Sequence, residues 1–111
     1  GQRFEILGED LLLYSMLSNL ILNALEAAPP DTTVSVDLKK EDAVIIAIHN
    51  MGTVPESIRD RFFEKYVTAG KLKGTGLGTY AAKLIAEAHG GMIDMQSSEN
   101  SGTTVTVRLP A

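Results

Sequence analysis

The stretch TAGKLKGTGLG, Thr68 to Gly78, opens directly into the apolar, helix-forming run LGTYAAKLIA, Leu77 to Ala86. A helix N-terminus carries unpaired N–H groups and a partial positive charge, and glycines let that backbone close on an anion, so the segment suits a phosphate. Gly74-x-Gly76-x-Gly78 is one residue shorter than a dinucleotide fingerprint and lacks the Gly-Lys-Ser/Thr ending of a P-loop. What precedes it is polar where both of those motifs have a strand. Read alone, three glycines ahead of a helix fit a plain loop as well as a phosphate lid, so the rest of the chain decides.

The chain has 111 residues, 44% of them apolar, which suits a single domain over residues 1–111 with one core. A formal charge of −4 and a pI near 5.0 supply no basic field for nucleic acid or anionic lipid. A bound polyphosphate must then be neutralised locally by amides, a few lysines or a metal ion. Absence of cysteine removes disulfides and thiolate metal sites and suits a reducing cytosol. No apolar run approaches the ~20 residues of a membrane span, and GQRFEILGED has neither the basic opening nor the apolar centre of a signal peptide. No direct membrane insertion is expected, and a cytoplasmic location is inferred even for a domain of a membrane-anchored parent.

Apolar residues at Leu13, Leu17, Leu20, Ile21, Ala24 and Ala28 form a helical stripe from Asp10 to Ala28, ended by Pro29 and Pro30. Val34–Leu38 alternates as a strand, Lys39–Asp42 reads as a charged turn, and Ala43–Ile48 as a more buried strand, together a hairpin. After Pro55, Glu56–Phe63 reads as a short helix, Tyr66–Lys73 as a loop, and Leu77–His89 as a helix closed by Gly90 and Gly91. Met92–Ser97 and Thr103–Leu109 alternate as strands about a turn at Ser98–Gly102, and Pro110 ends the second. The predicted class is α+β, a two-layer sandwich with helices on one face of a mainly antiparallel sheet.

On the first helix, at about 100° per residue, Asn19, Asn23 and Glu26 fall within about 60° of one another and nearly opposite the leucine stripe. Asparagine competes for backbone hydrogen bonds inside helices, so two of them at i and i+4 require a reason. A solvated face is one. A Mg²⁺ site is the other, since this hard cation takes oxygen ligands, keeps waters, and uses one or two protein oxygens beside phosphate. A third element is HNMGTVP, His49 to Pro55, where a buried strand runs into a glycine turn. A polar side chain beside a glycine that admits a flat ring is what an adenine pocket needs. Asn50 Oδ1 would accept from the exocyclic amine, and its NH₂ would donate to a ring nitrogen directly or through water. An Asx-type turn is the plainer reading of that segment alone.

In order and spacing, these segments resemble the ATP-binding domain of sensor histidine kinases. NLILNALEA (Asn19 to Ala27) is similar to the N-box, Asn50-Met51-Gly52 to the G1 box, FFEKY (Phe62 to Tyr66) to the F-box and GTGLG (Gly74 to Gly78) to the G2 box. AHGG (Ala88 to Gly91), Gly102-Thr103-Thr104 and Leu109-Pro110 extend the likeness over essentially the whole chain. The resemblance implies the Bergerat fold of the superfamily that also holds DNA gyrase, the Hsp90 chaperones and the MutL repair proteins, with a mixed, mainly antiparallel sheet. It also implies ATP and Mg²⁺ as ligands. By position, Asn23 matches the Mg²⁺ ligand, Asn19 stands beside it near the phosphates, and Asn50 takes the place of the adenine-binding aspartate, followed by Gly52. Gly74, Thr75, Gly76, Leu77 and Gly78 belong to the ATP lid, from which Lys71 or Lys73 would reach terminal phosphates. Thr103, in phase with Val105, Val107 and Leu109, would face the pocket end of the core.

Three positions depart from the family pattern. Asn50 replaces aspartate, and a neutral amide oxygen accepts more weakly than a carboxylate. Gly52-Thr53-Val54-Pro55 lacks a second glycine and runs one residue short. Glu26 stands where many members carry lysine or arginine and needs a metal or water partner to approach phosphate. Gyrase-like ATPases have a water-activating glutamate at the position of Asn19; an amide is a poor base, so transfer is favoured over hydrolysis.

In the family's reaction an imidazole on a separate helical dimerisation domain attacks the γ-phosphate in line, while this domain positions and stabilises charge. His49 ends a strand and His89 ends a helix, so the phosphoacceptor is expected on that other domain of a full-length, homodimeric kinase. A response regulator would act downstream, and the isolated chain would not phosphorylate itself. A nucleotide-binding pseudokinase and an anti-sigma-type serine kinase share the fold. A helix upstream carrying His followed by Glu or Asp would set the histidine kinase apart from both, whereas a true start at Gly1 would favour them.

Overall fold

A computed structural model of the chain describes residues 10–64 and 78–110. In chain order they form α1 (Asp10–Ala27), β1 (Ser35–Lys40), β2 (Ala43–Asn50), α2 (Glu56–Arg59), α3 (Gly78–Ala88), β3 (Met92–Ser98) and β4 (Gly102–Pro110). The strands make one sheet in the order β1-β2-β4-β3. The sheet expected to be mainly antiparallel is antiparallel in all three pairings among the described residues.

Register decides what the sheet offers the helices. Because strand side chains alternate in direction, residues paired across the sheet share a face. One row runs Leu38, Ile46, Val107, Ile93 and the next Val36, Ile48, Val105, Met95, with Val44 beside Leu109 at one end. Val44, Ile46, Ile48, Val105, Val107 and Leu109 are buried and meet Met16, Leu20 and Ala24 of α1 and Ala82 and Ala86 of α3 in one core. Each large side chain removed from water there contributes about 1.5–3 kcal/mol. On the opposite face Ile45, Ala47, Thr104 and Thr106 are half-buried, and Asp94, Gln96 and Arg108 are exposed.

Three local expectations shift. The first hairpin closes over Glu41 and Asp42 alone, because Lys39 and Lys40 pair with Ile45 and Val44; their side chains are exposed, so a charged pair extends the strand without burial cost. Regular helix after Pro55 lasts only to Arg59. Beyond it, Arg61, Phe62 and Glu64 N–H groups reach back three residues to Ile58, Arg59 and Arg61 carbonyls, giving successive tight turns. The third shift concerns α1, whose stripe is rotated. Met16, Leu20 and Ala24 are sealed at 0, 1 and 3% exposure, whereas Leu13, Leu17 and Ile21 are only partly buried. The sealed residues lie about 60–140° round the helix from Asn19. The asparagine face therefore borders the core instead of opposing it. The cause is α3: α1 packs more extensively on α3 than on the sheet, and alanines on both helices permit close approach.

Candidate functional site

The apolar rows of the sheet end in a polar one. Asn50, Thr103 and Ser97 are paired across β2, β4 and β3, one step beyond Ile48, Val105 and Met95. Asn50 is 4% and Thr103 5% exposed, so this row is where the core gives way to a built polar site. Asn50 Nδ2 donates to the Met51 carbonyl at 2.7 Å. That bond fixes the amide's orientation, because turning it over would set two oxygens against each other. Among the described residues nothing donates to Asn50 Oδ1, and that atom is not sealed from solvent. An open acceptor on a nearly buried side chain is suited to read an amino group. The expected NH₂ contact to a ring nitrogen is thereby narrowed, since one of its two hydrogens is committed to Met51.

The short turn after Asn50 is held from four directions. Thr103 Oγ1 donates to Gly52 O at 2.8 Å, and Val54 N–H donates to Ser97 Oγ at 2.8 Å. Thr53 Oγ1 donates to Ser98 O at 3.2 Å, and Arg59 Nε donates to Val54 O at 2.8 Å. Thr103, expected to face the pocket end of the core, is buried beyond Val105 with its hydroxyl turned onto Gly52. Gly52 has φ +114°, and a Cβ on it would stand 3.0 Å from Ala27 O at the end of α1. The turn is thus seated on α1 about one helical turn, roughly 6 Å, beyond Asn23.

Asn19 and Asn23 are half-buried, and Glu26 on the same side is exposed. Gly78, the first residue of α3, lies against Asn19: a Cβ there would be 3.8 and 3.9 Å from Asn19 Cβ and Cγ. Thr79 Oγ1 donates to Phe62 O at 3.0 Å, which ties the start of α3 to the segment carrying Phe62 and Phe63. Their rings stand edge to face at 4.9 Å and 88°. The positive end of the α3 dipole is therefore beside the asparagine face. Asn23 also has an interaction partner in the folded chain. Lys71, Lys73, Gly74, Thr75, Gly76 and Leu77 lie outside the described residues.

Among the described residues there is no group of three or more His, Cys, Asp or Glu side chains able to hold a metal. Two carboxamides beside a helix N-terminus fit a cation that shares its coordination with phosphate oxygens and water, which is the habit of Mg²⁺, and do not make an all-protein cage. Both histidines are engaged with backbone. His49 Nε2 donates to Ser101 O at 2.7 Å and His89 Nδ1 to Ile85 O at 2.7 Å.

The sequence pattern of the family described as "Histidine kinase-, DNA gyrase B-, and HSP90-like ATPase" matches residues 8–111. The chain belongs to this family. Within it, this ATPase-family domain is 34% identical over 106 residues to the heme sensor protein HssS of Staphylococcus haemolyticus, covering 93% of the chain and 23% of that protein. It is 32% identical over 115 residues to the sensor-like histidine kinase SenX3 of Mycobacterium tuberculosis, covering 96% and 28%. The chain thus spans about a quarter of the length of these curated relatives. Among solved structures, the catalytic domain of histidine kinase ThkA in a nucleotide-free form superposes with a TM-score of 0.81 at 28% identity, over 95% of this chain and 70% of that one. The mycobacterial sensor histidine kinase MprB shares the fold at TM-score 0.84 and 24% identity, over 95% and 76%.

The turn after Asn50 meets the end of α1 at Ala27, and the start of α3 meets Asn19. Ser97 was not among the expected site residues. Its only sequence signal is a hydroxyl at the third inward position of a strand whose first two are Ile93 and Met95.

Proposed function

We propose that this domain binds ATP with Mg²⁺ and supplies the γ-phosphate to a histidine on a separate helical dimerisation domain of the same full-length, homodimeric sensor kinase, from which a response regulator takes it. The observation that carries the reading is the Asn50 amide. It is nearly buried, oriented by Met51, and open at its acceptor oxygen, which matches the 6-amino group of adenine and opposes the 6-oxo group of guanine.

On this reading Asn50 and Gly52 hold the base, Thr103 supports the turn beneath it, and Asn19 and Asn23 face the phosphates beside the start of α3. Lys71 and Lys73 with Gly74 to Gly78 cover the triphosphate. Mg²⁺, when bound to Asn23 and phosphate oxygens, would neutralise charge on the transferring group. The domain's own contribution is to orient the triphosphate for in-line attack. It offers no strong base at Asn19, and its two histidines are committed to backbone carbonyls, which supports a phosphoacceptor elsewhere. No helix among the described residues is long and apolar enough to cross a membrane, and the proposed working location is the cytoplasm.

Labelled ATP with Mg²⁺ should phosphorylate histidine on the parent's helical domain when that domain is added to this chain, and should leave the chain alone unlabelled. Stable histidine phosphorylation of the isolated chain would overturn the assignment of the acceptor, and absence of transfer despite ATP binding would overturn the kinase reading.

A further inference from the structure

On β3, Ile93, Met95 and Ser97 point toward the helices, and Met92, Asp94 and Gln96 toward solvent. Ser97 therefore holds a position that valine or isoleucine would fill by strand preference. Its hydroxyl accepts from Val54 N–H at 2.8 Å and lies 2.8 Å from Thr103 Oγ1. The direction of that second bond follows from the first neighbours. Thr103 gives its one hydroxyl hydrogen to Gly52 O, so toward Ser97 it can only accept, and Ser97 donates. The result is a directed chain from Val54 N–H through Ser97 and Thr103 to Gly52 O, leaving the turn and returning to it two residues away.

We propose that Ser97 is a positioning residue for base recognition. Through this relay it sets the pose of Gly52–Val54 and hence of Met51, whose carbonyl holds the Asn50 amide. Asn50 is neutral, so its hydrogen bond to an amine is weaker than a carboxylate's and depends more on alignment. A turn one residue short gains through the two hydroxyls a tether to the β3–β4 hairpin. Ser97 touches no nucleotide; it acts through Thr103 and the turn. The inference rests on the adenine reading above.

The test uses the whole chain with Mg²⁺ and measures ATP and GTP affinities of wild type, Ser97→Ala, Ser97→Thr and Thr103→Val, with thermal unfolding to establish that each is folded. Ser97→Ala should weaken ATP about tenfold, the value of one aligned hydrogen bond, and leave GTP nearly unchanged, so that the ATP-to-GTP preference falls. Ser97→Thr should restore the preference, and Thr103→Val should break the relay from its other end with the same selective loss. Hydrogen exchange at the Val54 amide should quicken in Ser97→Ala. Parallel weakening of ATP and GTP, or a full ATP affinity in Ser97→Ala, would overturn the proposal while leaving ATP binding itself intact. A wild-type chain that binds neither nucleotide would overturn the ATP reading and this inference with it. Should Ser97→Ala fail to fold, Thr103→Val and the exchange rate of Val54 in Ser97→Thr carry the same comparison.

Discussion

Gly102 opens β4 at φ +80°. A Cβ added there would stand 2.4 Å from the Asn50 carbonyl oxygen and 3.1 Å from both His49 Nε2 and Met51 Cα. Two costs add in Gly102→Ala. The left-handed conformation costs an L-residue about 1–2 kcal/mol. Carbon and oxygen rarely approach closer than about 3.3 Å even in favourable C–H···O contacts, so the strand end or the Asn50 turn must yield by roughly 0.9 Å; overpacking of this kind costs about 1–3 kcal/mol. The sum, about 2–5 kcal/mol, is a large share of the ~5–15 kcal/mol typical of a domain. At about 4 °C per kcal/mol for a chain of this size, the melting temperature should fall by about 8–20 °C. Gly90→Ala is the control: its φ is also positive, +75°, but among the described residues the new Cβ would meet only Pro110 Cγ at 3.6 Å, so the strain of about 1–2 kcal/mol stands alone. Thermal unfolding of both variants, with ATP titration below their transitions, separates the terms. Gly102→Ala should be the less stable by about 1 kcal/mol or more and should bind ATP more weakly, since the displaced atom belongs to Asn50; Gly90→Ala should bind normally. Equal losses in the two variants would refute the contact between Gly102 and the Asn50 turn.

Three further substitutions probe the account from other sides. Asn50→Asp replaces the donor to Met51 O by a second acceptor at 2.7 Å, so the nucleotide-free chain should lose about 1–3 kcal/mol in urea unfolding; unchanged stability would mean that the amide is not anchored there. Leu20→Ala, at a residue 1% exposed in the middle of the core, should cost about 2–5 kcal/mol by the same measurement. Arg108→Ala breaks a pair with Asp42 at 3.0 and 3.2 Å, but the two side chains are 47% and 79% exposed; the loss should stay below about 1 kcal/mol and shrink in salt.

Much of this arrangement is legible in the sequence. The proline pair after Ala28, the unbroken apolar run Ala43–Ile48 and the double glycine after His89 each mark an element by a local signal, and local signals survive in sequence. The direction in which α1 faces does not. Leu11, Tyr14, Leu22 and Leu25 are exposed at 78, 71, 58 and 55%, so α1 is apolar on nearly every side, and periodicity cannot choose which stripe is buried. Met16 is sealed because α3 arrives on that flank, a tertiary fact. The polar row of Asn50, Thr103 and Ser97 is invisible for a similar reason: it exists only once the register of two hairpins is set. Asn19, Asn23 and Asn50 stood out because their residue type sits poorly in a helix or at a buried strand end. Ser97 and the orientation of the Asn50 amide did not, since a serine near a turn and an amide in an Asx-like segment are both ordinary.

Titration of ATP into the wild-type chain and Asn23→Ala, with and without Mg²⁺, measures the proposed site as a whole. The wild type should bind ATP in preference to GTP and more tightly with Mg²⁺ than without it. Asn23→Ala should lose about tenfold or more of the Mg²⁺-dependent affinity and little of the affinity seen without the metal. A folded wild-type chain that binds no adenine nucleotide at millimolar concentration, or an Asn23→Ala chain with undiminished Mg²⁺-dependent affinity, would contradict it.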